Sequence, residues 1–282
     1  MASHSRSAYR ESSAVLDFVF EQLSARVDRV RETALAARVS PSAEAIHQLR
    51  VSIRRLTESM RSLEEWVKSK RAGKLRDRLR PLMKAAGETR NFDVAVELCL
   101  KSPVISAAGV AAAIPPARTE AWHQLIGQLL GLRLDKLRPP CDPNPEVPPA
   151  RVLAAGLLAG LVPAYWKAGD VAARSEASWS DLHSFRLATK HLRYTMELFA
   201  ATCGRGVAER LDVLKRVQTH LGEVNDCDTA RGLDVIANDT ALAGWLAARQ
   251  KTEREKFIKT WAEERKRSRG GANWVRYFSR PQ

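Results

Sequence analysis

Residues 46–56, with the sequence IHQLRVSIRRL, decide the fold, because residues 182–192, LHSFRLATKHL, repeat their pattern of histidine, basic and apolar positions. The match continues downstream, where GETRNFDVA at residues 87–95 aligns with GEVNDCDTA at residues 222–230. A pattern that recurs with almost unchanged spacing indicates an internal duplication. We therefore expect two copies of one supersecondary unit.

The hydrophobic pattern around both copies predicts helices throughout. Apolar residues recur at i, i+3 and i+4 spacing, and the chain is poor in the β-branched and aromatic runs that strands prefer. The predicted helices span residues 14–37, 42–69, 74–87, 92 onward, 117–137, 151–173, 180–201, 207–221, 228–237 and 242–269. We predict an all-α fold with a first repeat at 12–138, a stiff proline-rich linker at 139–149 and a second repeat at 150–280.

Two glycines are predicted to separate helices within the repeats. Gly87 and Gly222 each precede a cluster of short polar residues that favour helix N-caps. The N-cap candidates are Asn91, Asp93, Asn225, Asp226 and Asp228. A metal site that combines His183 or His220 with Asp226, Asp228 and Glu223 is the alternative interpretation of the second cluster, although we predict no metal and no cofactor.

Composition limits the class of partner. The chain has 282 residues and a formal net charge of +14, which points to a polyanion or an anionic surface. Its four cysteines are widely spaced, which argues against a zinc module or a disulfide framework, and the first residues show no secretory signal. The longest apolar stretch, residues 152–165, is shorter than a membrane span and predicts a buried helix. We expect a cytoplasmic protein.

The repeated helices each carry a row of cations beside an apolar stripe. Neither residues 47–55 nor residues 183–193 contain an acidic side chain, although an ordinary solvated helix face mixes both signs. Arginine forks spaced by one helical turn suit phosphate oxygens. The candidate binding residues on these two helices are His47, Arg50, Arg54, His183, Arg186, Lys190 and Arg193. The next helices add Arg76, Arg80, Lys84 and Lys215, for which a solvated face is an equally good explanation.

At these residues the chain resembles the CHAD family, the conserved histidine α-helical domains, whose signature is a repeated His-x-x-Arg helix that continues into further basic positions. The resemblance implies two antiparallel four-helix bundles related by a pseudo-twofold axis, with basic side chains lining a groove or pore. It also implies binding of inorganic polyphosphate. By position it adds Arg55 and His191 to the candidate residues, while Thr57 departs from the family pattern.

The predicted function is therefore non-catalytic binding of inorganic polyphosphate, in association with polyphosphate granules. A nucleic-acid-binding protein is the first alternative, because the basic tail from residue 265 contains Trp274, Tyr277 and Phe278, which could stack on bases. A module associated with a phosphate- or metal-dependent phosphohydrolase is the second. The sequence has no Walker-type phosphate loop and no E-x-E-x-K strand, so we predict no enzyme activity. It makes no prediction about the oligomeric state.

Overall fold

The computed structural model describes residues 2–141 and 148–279, and within those ranges its regular structure is entirely helical. The all-α prediction is confirmed. The α-helices are α1 (Ala2–Val39), α2 (Ala43–Ser62), α3 (Ser69–Lys101), α4 (Ala107–Ala113), α5 (Pro115–Gly131), α6 (Ala150–Ala172), α7 (Trp179–Leu198), α8 (Val207–Arg231), α9 (Asp234–Ala237), α10 (Thr240–Arg267) and α11 (Ala272–Phe278). Single 3-10 turns occur at Glu64–Trp66 and Leu134–Lys136.

The predicted helix ends at Gly87 and Gly222 are wrong. Both glycines lie inside long helices, α3 and α8, which pack against each other and against α5 and α10. A glycine inside a helix costs only about 1 kcal/mol relative to alanine, which the packing of a long helix can offset. The N-cap interpretation fails with it, because the residues in question are interior helix positions: Asn91, Asp93, Asn225, Asp226 and Asp228.

The two halves of the chain repeat one packing pattern. Helix α1 packs on α2 as α6 packs on α7, and α3 packs on α5 as α8 packs on α10. The halves meet where α2 contacts α7 and α3 contacts α8. The larger apolar cluster draws on both halves, so a division into two separate four-helix bundles stays a prediction.

The proline-rich segment between the halves is only partly described. The backbone N–H of Lys68 donates to the carbonyl of Pro140 at 2.9 Å, which fixes the start of the segment to the N-terminal end of α3. Residues 142–147 of the predicted linker lie outside the described residues.

Helix α6 has the length and composition of a membrane span, contrary to the expectation from residues 152–165 alone. Core helices of globular proteins share this profile. In this chain α6 packs on α7 and α11, and its buried side chains include Leu158, Tyr165 and Trp166. The predicted buried helix is therefore present, with one apolar face that remains exposed.

The aromatic residues near the C-terminus belong to the core around α6. The rings of Tyr165 and Trp274 stack with their centroids 5.9 Å apart, and Phe278 is buried beside them. The guanidinium of Arg210 covers the ring of Tyr277 at 3.8 Å. These aromatics therefore seal α11 onto the helices below it, and their faces are not open for stacking on nucleotide bases.

The close packing of this aromatic core requires glycine at position 169. A Cβ atom at position 169 would lie 2.2 Å from two carbon atoms of the Trp261 ring, a buried group that cannot move aside. We expect Gly169→Ala to lower the free energy of unfolding by about 1–3 kcal/mol in a denaturant titration, as overpacking does. Gly160→Ala is the matched control on the same helix, because a Cβ there meets nothing within 4 Å. Equal stabilities of the two variants would contradict this account of the core.

Candidate functional site

A cavity of about 270 Å³ lies where the two halves of the chain meet. Its walls come from α2 and α3 of the first half and from α7 and α8 of the second. Most of the ionisable side chains on these walls are basic. They are His47, Arg50, Arg54, Arg90, Arg186 and Lys190.

Helix geometry explains why these side chains converge. Arg50 and Arg54 are one turn apart on α2, as Arg186 and Lys190 are on α7, so each helix presents its pair along one face. The apolar stripes of both helices, which include Leu49 on α2, are buried in the larger cluster. Burial of the stripes leaves the basic faces of α2 and α7 turned toward the same cavity.

The cations of the cavity are only partly compensated, Arg90 by Glu97 at 2.9 Å. Arg50 and Arg186 are partly buried, and the Nε atom of each is buried without a hydrogen-bond partner. Burial, followed by repulsion from Arg54 and Arg90, lowers the pKa of Arg50 to about 10. Both arginines line the cavity, and each guanidinium has five N–H donors, so an anionic ligand with several acceptor oxygens suits this wall.

Lys190 is the most buried cation of the site. Its side chain is 8% exposed, and burial together with the charges of Arg54 and Arg186 lowers its pKa to about 7. Among the described residues, Asp226 is the one carboxylate on the cavity wall. Burial raises the pKa of Asp226, against the attraction of Arg186. The balance of charge in the cavity therefore favours an anionic ligand.

Three polar wall residues on α8 were not predicted to bind a ligand: Gln218, Asn225 and Thr229. Asp226, on the same wall, was predicted only for the alternative metal site. The predicted break at Gly222 hid them, because it assigned the polar residues to a helix start. Gln218, Gly222 and Asp226 follow one another at four-residue spacing, and that spacing in a continuous helix would have placed them on one face. The side chain of Gln218 also has a buried Oε1 atom without a partner.

Two predicted binding residues contact carboxylates between α2 and α7 instead of lining the cavity. Arg55 Nε lies 3.3 Å from Glu197 Oε2, and His191 Nδ1 lies 2.8 Å from Glu58 Oε2. Each follows a cavity residue by one position and is therefore turned about 100° around its helix. These pairs tie the two helices together.

The remaining predicted residues also lie outside the cavity. Arg193 stacks over the ring of Tyr194 at 4.6 Å, and the ring of His183 lies 6.5 Å from that of Trp179. The residues on α3 and α8 lie along the surface, and three of them have acidic neighbours on their own helix. The pairs are Arg80 with Asp77 at 3.2 Å, Lys84 with Glu88 at 4.0 Å, and Lys215 with Asp212 at 3.0 Å. Arg76 lies on α3 one turn before Arg80.

The alternative metal site does not assemble in the part of the chain that the structure describes. No group of three or more metal-ligating side chains occurs there. Glu223 accepts a hydrogen bond from Arg249 at 2.7 Å, and His220 Nδ1 lies 3.2 Å from Glu253 Oε2. Both side chains thus have protein partners.

Comparisons with known proteins agree on the fold. The family model described as the CHAD domain matches residues 21–234. The crystal structure of the CHAD domain from the plant Ricinus communis is similar, with a TM-score of 0.72 and 20% sequence identity over 88% of this chain and 91% of that one. PptA from Streptomyces chartreusis is similar with a TM-score of 0.63 and 18% identity over 88% of this chain and 98% of that one. The comparison with curated proteins gives no match. At these identities the structural likeness establishes the fold alone.

Proposed function

The chain belongs to the CHAD family, and on this basis we propose that it binds inorganic polyphosphate in the cavity between its two halves. The observation that carries the proposal is that six basic side chains converge on a cavity wall where, among the described residues, Asp226 is the one carboxylate. Charges of one sign held a few ångströms apart in a poorly hydrated site repel one another. A phosphate chain would supply negative charge and acceptor oxygens together.

The shape of the site favours a slender polyanion. A cavity of about 270 Å³ accommodates phosphate units but not a nucleic-acid duplex, whose major groove alone is about 12 Å wide. The aromatic residues that could have stacked on single-stranded bases, Trp274 and Phe278, are buried. The geometry therefore favours polyphosphate over nucleic acid as the ligand.

We propose that binding occurs without turnover and serves association with polyphosphate granules in the cytoplasm. The side chains around the cavity carry positive charge or donate hydrogen bonds. Both properties suit binding of a phosphate chain without its cleavage. A phosphate-release assay with long-chain polyphosphate, with and without Mg²⁺, tests the first statement. Fluorescence co-localisation of the tagged protein with granules tests the second.

Removal of the two unpartnered arginines should abolish tight binding. Arg50→Gln with Arg186→Gln removes two charge-assisted contacts worth about 1.5–3 kcal/mol each, so we expect the Kd for long-chain polyphosphate to rise by at least about 100-fold. Isothermal titration calorimetry measures the change.

The control for the arginine variant is Lys259→Gln with Arg276→Gln, which removes the same charge from two exposed positions outside the cavity. Equal weakening in both double variants would indicate a diffuse effect of net charge and would contradict the site. Competition decides the ligand class: displacement of polyphosphate by DNA or RNA at equal phosphate concentration would favour the nucleic-acid alternative.

A steric block can close the cavity without a change of charge. Gly222 lies on the wall, and a Cβ atom there meets nothing within 4 Å, so a larger side chain would project into the open space. We expect Gly222→Leu to weaken polyphosphate binding at least tenfold while the helix gains propensity, since leucine favours helices more than glycine does. Gly244→Leu is the matched control, because Gly244 lies inside α10 with open space around its Cβ position and does not line the cavity. If the two variants bind alike, the ligand does not enter the cavity.

Three cations on one face of α3 predict that binding depends on the length of the polyphosphate chain. Arg76, Arg80, Lys84 and Asn91 share one face of α3, and Asn91 lies on the cavity wall. A long phosphate chain that leaves the cavity along this face would meet the three cations in turn. We expect the triple variant Arg76→Gln, Arg80→Gln and Lys84→Gln to weaken long-chain binding roughly tenfold, as exposed ion pairs contribute little each, and to leave tripolyphosphate binding unchanged. A uniform loss for both ligands, measured by calorimetry, would exclude this exit path.

A further inference from the structure

We propose that polyphosphate binding in the cavity is coupled to proton uptake. Lys190 gains a proton as the polyphosphate enters, and Asp226 contacts the polyphosphate as a neutral carboxylic acid. The inference rests on the proposed function and assigns its regulation to two named side chains. It makes pH a control on the occupancy of the site.

Lys190 is held where a charge is unfavourable in the empty cavity. It is buried on α7, with Arg186 one turn before it on the same helix and Arg50 and Arg54 opposite on α2. Arg90 of α3 and His47 of α2 also line the cavity. Asp226 of α8 is the carboxylate on the described wall, and its negative charge favours the protonated form of Lys190. An amine in this position can relieve the repulsion by losing its proton, which the guanidinium groups do not do at physiological pH.

The ionisation of Lys190 falls in the physiological range. Burial and the surrounding guanidinium groups lower its pKa to about 7, so about half of the empty cavities carry a neutral amine at pH 7. A phosphate chain beside the amine favours the charged form and raises the pKa. Binding at neutral pH or above therefore draws a proton from solvent.

Asp226 shifts in the same sense. Burial and repulsion from Glu223 raise the pKa of its carboxyl group, against the attraction of Arg186 and Arg90, and the side-chain amide of Asn225 lies 3.5 Å from its Oδ1 atom. A carboxylate there would repel phosphate, whereas the protonated acid can donate its O–H to a phosphate oxygen. The first half of the chain has Asn91 at the aligned position on the wall, a donor of similar shape without charge. Protonated Asp226 thus makes the two sides of the cavity alike.

The sign of the pH dependence follows from these two groups. The complex favours the protonated form of each, so the affinity is highest at a pH below the pKa of Lys190 in the empty cavity. As pH rises through about 7, the affinity should fall by up to about tenfold per pH unit for each proton taken up. The fall ends where the groups also titrate in the complex.

The experiment is calorimetric titration of the full chain with long-chain polyphosphate between pH 6 and pH 9. Each titration at pH 7.5 is repeated in buffers of different ionisation enthalpy, and the slope of the observed enthalpy against that quantity gives the number of protons taken up. Long chains are the appropriate probe because their terminal phosphates, which titrate near pH 6, are a small fraction of the whole. We expect net uptake for the unaltered protein.

Two variants assign the protons, and a third serves as the control. Lys190→Arg keeps the charge fixed, so the decline in affinity between pH 7 and pH 9 should become at least tenfold smaller and the uptake should drop. Asp226→Asn reproduces Asn91 and should bind more tightly than the unaltered chain at pH 8. Lys259→Arg, on the exposed surface of α10, should leave the pH profile unchanged.

The outcomes separate the inference from the proposed function. Polyphosphate binding with no proton uptake in the unaltered protein would overturn the inference and leave the function standing, whatever the stability of the variants. Proton uptake that is undiminished both in Lys190→Arg and in Asp226→Asn would assign the protons to other groups and would also overturn it. Absence of polyphosphate binding across the whole pH range would instead overturn the proposed function.

Discussion

The packing of α2 beside α7 is the constraint on which the cavity depends, because it forces the basic faces of two similar helices together. The apolar stripes of both helices are buried in one cluster, and that burial draws them together in spite of the repulsion between Arg50, Arg54, Arg186 and Lys190. The contacts beyond the cavity offset part of this repulsion. Glu58 meets His191, and one turn further on Ser62 Oγ lies 2.8 Å from Thr195 Oγ1. The apolar cluster and these α2–α7 contacts thus hold the cavity cations together without neutralising their charge.

The repeat made the central part of this arrangement predictable. A histidine, two arginines and their counterparts on α7 were placed on helix faces by periodicity alone, and five of them line the cavity: His47, Arg50, Arg54, Arg186 and Lys190. Periodicity specifies which residues share a face, but not which neighbouring helix that face meets. Arg55 and His191 were added by position from the family resemblance, and neither that position nor periodicity shows that each contacts a carboxylate across the α2–α7 contact. The wall residues of α8 were not predicted for a different reason. Glycine and short polar residues locally favour a helix end, but the packing of a long helix overrides that preference.

The two halves supply similar shapes and different charges to the cavity. Arg90 and Asn91 of α3 correspond to Asn225 and Asp226 of α8, so the wall on the side of α3 is more positive by two charges when Asp226 is ionised. The same asymmetry continues along the surface, where the cations of α3 have fewer counterparts on α8. A ligand with a uniform negative charge would therefore be attracted unequally, toward the wall built by α2 and α3. The duplicated helices keep the same arrangement around the site, and differences at a few positions give its two walls unequal charge.

Lys190 on the cavity wall has a role that its arginine counterpart could not fill. Arg54 and Lys190 occupy aligned positions, but arginine stays protonated at any physiological pH, whereas a buried lysine can release its proton. The empty cavity can therefore shed one positive charge at Lys190 and retain the forks of Arg50 and Arg186 for phosphate oxygens. A wall composed only of arginines would bind an anion regardless of pH and would carry the full repulsion when empty. A lysine at the most buried position lowers that repulsion and restores the charge when the anion arrives.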